Sequence, residues 1–147
     1  MQNKITKSIT AGIIGTAVMT LFMMIAPMMG MPKMSASHML SGMLGVPIAV
    51  GWIMHFMIGT IFAFAYAFFF INVLKKVSSN ILKGTIFGFA VFIFAQIMMA
   101  IMGIMMPMPP MEGSMMLIMT GSIMGHIVFG ITVAIFVKEL VAEKSFA

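Results

Sequence analysis

Charged residues are sparse and widely spaced along this chain. None occurs between Lys7 and Lys33, Lys33 and Lys75, Lys83 and Glu112, or Glu112 and Lys138. Each gap exceeds the roughly 20 apolar residues that carry a helix across a ~30 Å hydrocarbon core. The pattern predicts four transmembrane helices near Ile9–Met29, Val46–Phe70, Ile86–Met106 and Met116–Val137. A helix satisfies its own backbone hydrogen bonds, so an all-α up-down bundle is the economical way for a short chain to cross lipid. The whole chain, residues 1–147, reads as one four-helix transmembrane domain.

Lysine placement predicts the orientation. Lys4, Lys7, Lys75, Lys76, Lys83, Lys138 and Lys144 fall on one side of the four spans, and only Lys33 falls on the other. Lysine-rich short loops stay in the cytoplasm. Both termini are therefore expected inside, with loops Gly30–Gly45 and Pro107–Ser114 outside. The first apolar run is too long for the h-region of a signal peptide and lacks a small-residue cleavage site, so it reads as an uncleaved span. Smaller features fit the same picture. Pro27 is expected to kink the first span, Pro107, Pro109 and Pro110 to end the third, and Ser35 or Ser37 to cap a short interfacial helix. Trp52 and Tyr66 are expected at the two interfaces. Gln96 is expected to hydrogen-bond across the bundle.

The chain also reads as a tandem two-helix repeat, with units near residues 8–73 and 81–138. GWIMHFMIGTIFA (Gly51–Ala63) parallels GSIMGHIVFGITVA (Gly121–Ala134), aligning His55, Gly59 and Ala63 with His126, Gly130 and Ala134. AGIIGTAV (Ala11–Val18) parallels GTIFGFAV (Gly84–Val91) more weakly, aligning Gly15 with Gly88. Two spans per unit give both units the same orientation, a parallel repeat about the membrane normal. Small residues one turn apart, as in Gly84-xxx-Gly88, Gly59-xxx-Ala63 and Gly130-xxx-Ala134, offer flat faces for helix packing in lipid.

Composition narrows the function. Only 7 % of residues are charged, against about a quarter in a soluble domain. The net charge of +5 comes from lysine alone, with no arginine. Arginine is the usual bidentate reader of phosphates and bases, so no nucleic-acid partner is expected. There is no cysteine, hence no disulfide and no thiolate. Paired carboxylates, H-E-x-x-H, G-x-S-x-G and phosphate loops are all missing, and Glu112 is a lone outer acid. No enzyme is expected.

Two signals could carry chemistry. His55 and His126 lie within spans, where an ionisable group is costly and faces the interior with a partner. The second and fourth helices of an up-down bundle form a diagonal, from which two imidazoles could share a metal ion or the iron of a haem b. Counted from Lys75 and Lys138, however, their depths differ by eight residues, ~12 Å at helical rise. Either ring could instead serve a purely structural hydrogen bond.

Methionine is the second signal. There are 23, and apart from Met1 and Met19 all fall in the outer halves of spans or in outer loops. Neutral apolar filler would not sort by side. Thioethers favour Cu(I), and unlike thiolates need no deprotonation. The expectation is an outer vestibule drawing on Met31, Met34, Met54, Met57, Met108, Met111, Met119 and Met124, with His38 beside Met39 in the first outer loop and His55 and His126 at the floor. Methionine also suits adaptable contact with another protein.

Three short motifs carry a resemblance: AGxxGT (Ala11–Thr16), GWxxHFxxG (Gly51–Gly59) and GHxxxG (Gly125–Gly130). By these the chain resembles an uncharacterised family of small four-helix bacterial inner-membrane proteins. The resemblance implies the fold and draws attention to the two histidines, and it implies no activity. The leading expectation is a non-enzymatic protein binding Cu(I). The alternatives are a bis-histidine haem b protein and an accessory subunit of a larger membrane complex or homo-oligomer.

Overall fold

A computed structural model describes residues 2–106, 108 and 113–143. Met111, Glu112, Lys144 and the prolines at 107, 109 and 110 lie outside the described residues. The described chain is helical throughout, without strands. Helix α1 spans Gln2–Ile25 and tightens into a 3-10 turn at Ala26–Met29, with Pro27 in its first turn and Gly30 closing it at φ 84°. A nine-residue helix, α2 (Ala36–Leu44), follows. Its cap is Ser35, whose hydroxyl accepts a 3.4 Å hydrogen bond from the His38 amide.

Helix α3 (Ile48–Ala65) passes through a π-helical turn at Tyr66–Phe70 into the short α4 (Ile71–Val73). The long helices α5 (Asn80–Met105) and α6 (Met115–Glu143) complete the chain. Four segments are long and apolar enough to cross a membrane: Lys4–Met29, Ile48–Val73, Asn80–Met105 and Met115–Val137. Over an 18-residue stretch of each, between 22 and 39 % of the residues are buried within the protein. Most of their apolar surface thus faces outward and needs lipid to cover it.

The bundle is built from two backbone-tight hairpins. In α1–α3, a Cβ on Gly12 would come within 2.5 Å of the Thr60 Cα, and one on Gly59 would collide with the Thr16 hydroxyl. In α5–α6, a Cβ on Gly84 would strike the Ile131 backbone, and one on Gly130 would strike the backbone of Gly84 and Gly88. Absent side chains let the paired backbones touch, which is how helices cohere where no hydrophobic effect separates them from their solvent.

Between the hairpins the contacts are made by side chains. Along α1–α6, Phe129 and Val133 fill the hollow over Gly15, and the Met23 sulfur fills the one over Gly125. Helix α3 and the π-helical turn after it meet α5 through aromatic rings: Phe62 with Phe94 at 5.5 Å, and Tyr66 and Phe70 with Phe87 at 4.9 and 5.0 Å. Phe62, Tyr66, Phe70 and Phe87 join Ala11, Ala63, Val91, Val133 and Val137 in one core. Tyr66, expected at an interface, is 1 % exposed: its ring packs on Phe87, the centre of this aromatic cluster. Gln96, expected to bridge helices, makes no side-chain hydrogen bond among the described residues and lies half-buried.

Candidate functional site

The two histidines share one level of the bundle, and α1 serves as the ruler. His55 Nε2 lies 3.3 Å from the Thr20 hydroxyl. On the other side of α1, Gly125 packs against Met19 and Met23, and His126 is the next residue. Both rings therefore sit at the height of residues 19–23. The ~12 Å offset counted from the lysines does not arise.

The two rings are held differently. His126 Nδ1 is 2.7 Å from the Ser122 carbonyl. A carbonyl only accepts, so Nδ1–H donates and Nε2 keeps its lone pair. Phe92 of α5 packs edge-on against the same ring at 5.9 Å. His55 has Trp52 and Phe56 as aromatic neighbours, at 6.4 and 6.1 Å, and the Thr20 hydroxyl can either donate to it or accept from it.

A cleft of about 260 Å³ opens between α1, α2 and α3 beside His55. Thioethers of Met19, Met23, Met24 and Met34 line it, along with Thr20 and Trp52, while His38 stands exposed at its rim. Helix α2 is pressed onto α3 because Gly51 lacks a Cβ that would collide with the Ser37 carbonyl. That seam holds His38 and the preceding Met34 over the cleft. Met34 also reaches Gly121 of α6 with its methyl end, one turn from where Met23 meets Gly125.

Of the residues anticipated from sequence, the structure thus gathers His55, Met34 and His38 around one cleft and sets His126 across from it. The others are placed apart. Met31 lines a separate hollow with Lys33, Gly113 and Leu117. Met57 is 52 % exposed and Met124 37 % exposed on outward faces. Met54 and Met119 are half-buried outside the cleft lining, and Met108 packs against Gly103. Met111 is outside the described residues. Sequence reasoning passed over Met19, Met23, Thr20 and Trp52 as site residues. Spacing would have found the first two, since residues 11, 15, 19 and 23 recur on one buried stripe of α1.

Methionine therefore divides into two sets. One, including Met19, Met23 and Met34, is at least half-buried and lines the cleft. The other faces outward at the same end of the bundle, as at Met28 (87 % exposed) and Met29 (70 %). Among the described residues, no three His, Asp or Glu side chains converge, so the donors available at the cleft are thioether and imidazole.

Four apolar helices with an outward apolar surface and charges confined to their ends define a polytopic helical membrane protein. The chain belongs to a family of unknown function, DUF6789, whose model matches residues 2–147. No curated protein and no solved structure matches it.

Proposed function

We propose that this protein binds Cu(I) in the methionine-lined cleft and handles the ion without chemical turnover. The observation that carries the reading is convergence: Met19, Met23 and Met34 line one cleft together with His55 and His38. Soft thioether sulfur with neutral imidazole is a donor set suited to Cu(I). The Ser122 carbonyl supplies the outer hydrogen bond that metal-binding histidines commonly make, which fixes the ring and leaves Nε2 as donor. A His55 tautomer donating from Nε2 to Thr20 leaves Nδ1 free in the same way. In this reading the lysine-rich end lies in the cytoplasm of a bacterial inner membrane, and the cleft opens on the opposite face. The matched glycine crossings of the two hairpins support descent from a duplicated two-helix unit.

Haem fits less well. Pockets for drug-sized ligands run to about 300–1,000 Å³, above the volume of this cleft, and the thioethers of Met19 and Met23 lie at the level where a porphyrin would bridge the histidines. The outward methionines favour one other reading, an accessory subunit packed against a larger membrane complex.

Purified protein reconstituted with Cu(I) under reducing conditions is expected to hold one copper per chain by elemental analysis. Met23→Leu with Met34→Leu should remove it, leaving elution from a sizing column unchanged. A Soret band lost in His126→Ala would instead establish haem. A colourless, metal-free protein that copurifies with a defined complex would establish the subunit.

A further inference from the structure

Gly12, Thr16, Thr20 and Met24 follow one another at four-residue spacing along one edge of α1. The first three meet α3. Gly12 lies on the Thr60 backbone, the Thr16 hydroxyl occupies the place a Cβ on Gly59 would take, and the Thr20 hydroxyl is 3.3 Å from His55 Nε2. Met24 comes next on that edge, where the seam between α1 and α3 has opened into the cleft. It lines the cleft, yet it is 70 % exposed. Its side chain therefore stands at the mouth, one helical turn outward of the hydroxyl that meets His55.

The other sulfurs of the cleft are held from behind. The Met23 sulfur and the methyl end of Met19 pack in the hollow over Gly125, and the methyl end of Met34 packs in the one over Gly121. Thioethers seated in this way are fixed donors. Met24 is the exposed one, and an exposed side chain changes rotamer in picoseconds to nanoseconds. Methionine is unbranched, with three rotatable bonds. One thioether of the cleft can thus turn between the interior and the outside while the others stay in place.

We infer that Met24 is the transfer ligand of the site: its sulfur takes Cu(I) at the mouth and passes it inward to His55, and release retraces the path. The inference rests on the Cu(I) reading and adds the route of exchange to it. The step is a ligand substitution between a soft, neutral sulfur and an imidazole nitrogen, both suited to Cu(I). A copper–sulfur bond to Met24 breaks as a copper–nitrogen bond to His55 forms. The ion stays Cu(I), and no proton or electron moves. A ligand that the ion visits only in passing lowers the barrier from both sides. Its loss slows loading and release by the same factor and leaves the affinity where it was. A resident ligand behaves otherwise, since its loss weakens binding and hastens release.

Trp52 makes the test direct, because it lines the same cleft and is the one tryptophan of the chain. The full chain in nanodiscs is mixed anaerobically with Cu(I), supplied as its acetonitrile complex, and loading is followed by stopped-flow tryptophan fluorescence. Release is followed by the colour of a chromogenic Cu(I) chelator in excess, and affinity by competition with the same chelator. In Met24→Leu, loading and release should both slow about tenfold, with the affinity within about twofold of the parent. Met57→Leu, 52 % exposed and outside the lining, should change neither rate. Release that quickens in Met24→Leu as affinity falls makes Met24 a resident donor and overturns the transfer role. Parent rates in Met24→Leu also overturn it and leave the binding reading intact. A parent protein that takes up no copper overturns both.

Discussion

Gly130→Leu will leave little correctly folded protein. Gly130 lies on the backbone of Gly84 and Gly88, so the new side chain has no flexible neighbour to displace. Overpacking a core that can adjust costs typically 1–3 kcal/mol. Here the colliding atoms are main chain on both sides, and the expected loss is about 3 kcal/mol or more. The α5–α6 hairpin must separate along its length, and the aromatic core around Phe87 separates with it. Size-exclusion profiles and thermal melts in detergent give the readout. Gly45→Ala is the comparison, because nothing lies within 4 Å of its Cβ and only its φ of 64° is strained. A monodisperse Gly130→Leu protein melting like the parent would remove backbone contact as the basis of the hairpin.

His55→Ala is the second large effect. It should weaken Cu(I) binding about 100-fold, or ~2.7 kcal/mol, read by competition with a chromogenic Cu(I) chelator. This is the histidine that lines the cleft, and it lies within hydrogen-bond distance of Thr20. His38→Ala should change the affinity only a few-fold, because its ring stands exposed at the rim where water competes for the metal. Thr20→Val falls between the two: it keeps the shape but removes the hydroxyl that orients the ring, a class of change that costs 10–100-fold at metal sites. Equal losses for His38→Ala and His55→Ala would move the site to the rim.

The four spans were legible because lipid and charge exclude one another so strongly that lysine alone marks their limits. Ser35 was legible as a cap because a helix start has only a few chemical solutions. The lysine-side boundaries were less so. Helices α1 and α5 start at Gln2 and Asn80, several residues before Ile9 and Ile86, since a helix does not stop where hydrocarbon stops. Tyr66 misled because amphipathic rings usually mark interfaces, whereas here a π-helical turn carries it into the core. The glycines were visible as a class but not in register: aligning Gly15 with Gly88 sets Ala11 opposite Gly84, whereas Gly12 holds at the α1–α3 crossing the place that Gly84 holds at α5–α6. Periodicity along one helix cannot show which neighbour each face meets. For the same reason the inward and outward methionines looked alike in the sequence, although their common end of the bundle did not escape it.

The division of methionine by exposure also sets an order of chemical vulnerability. Oxidation turns a thioether into a polar, chiral sulfoxide, and hypohalous acids or peroxides reach Met28 and Met29 long before they reach Met19, which is 8 % exposed. The outward sulfurs are thus expected to oxidise first, ahead of the few inward ones that line the cleft.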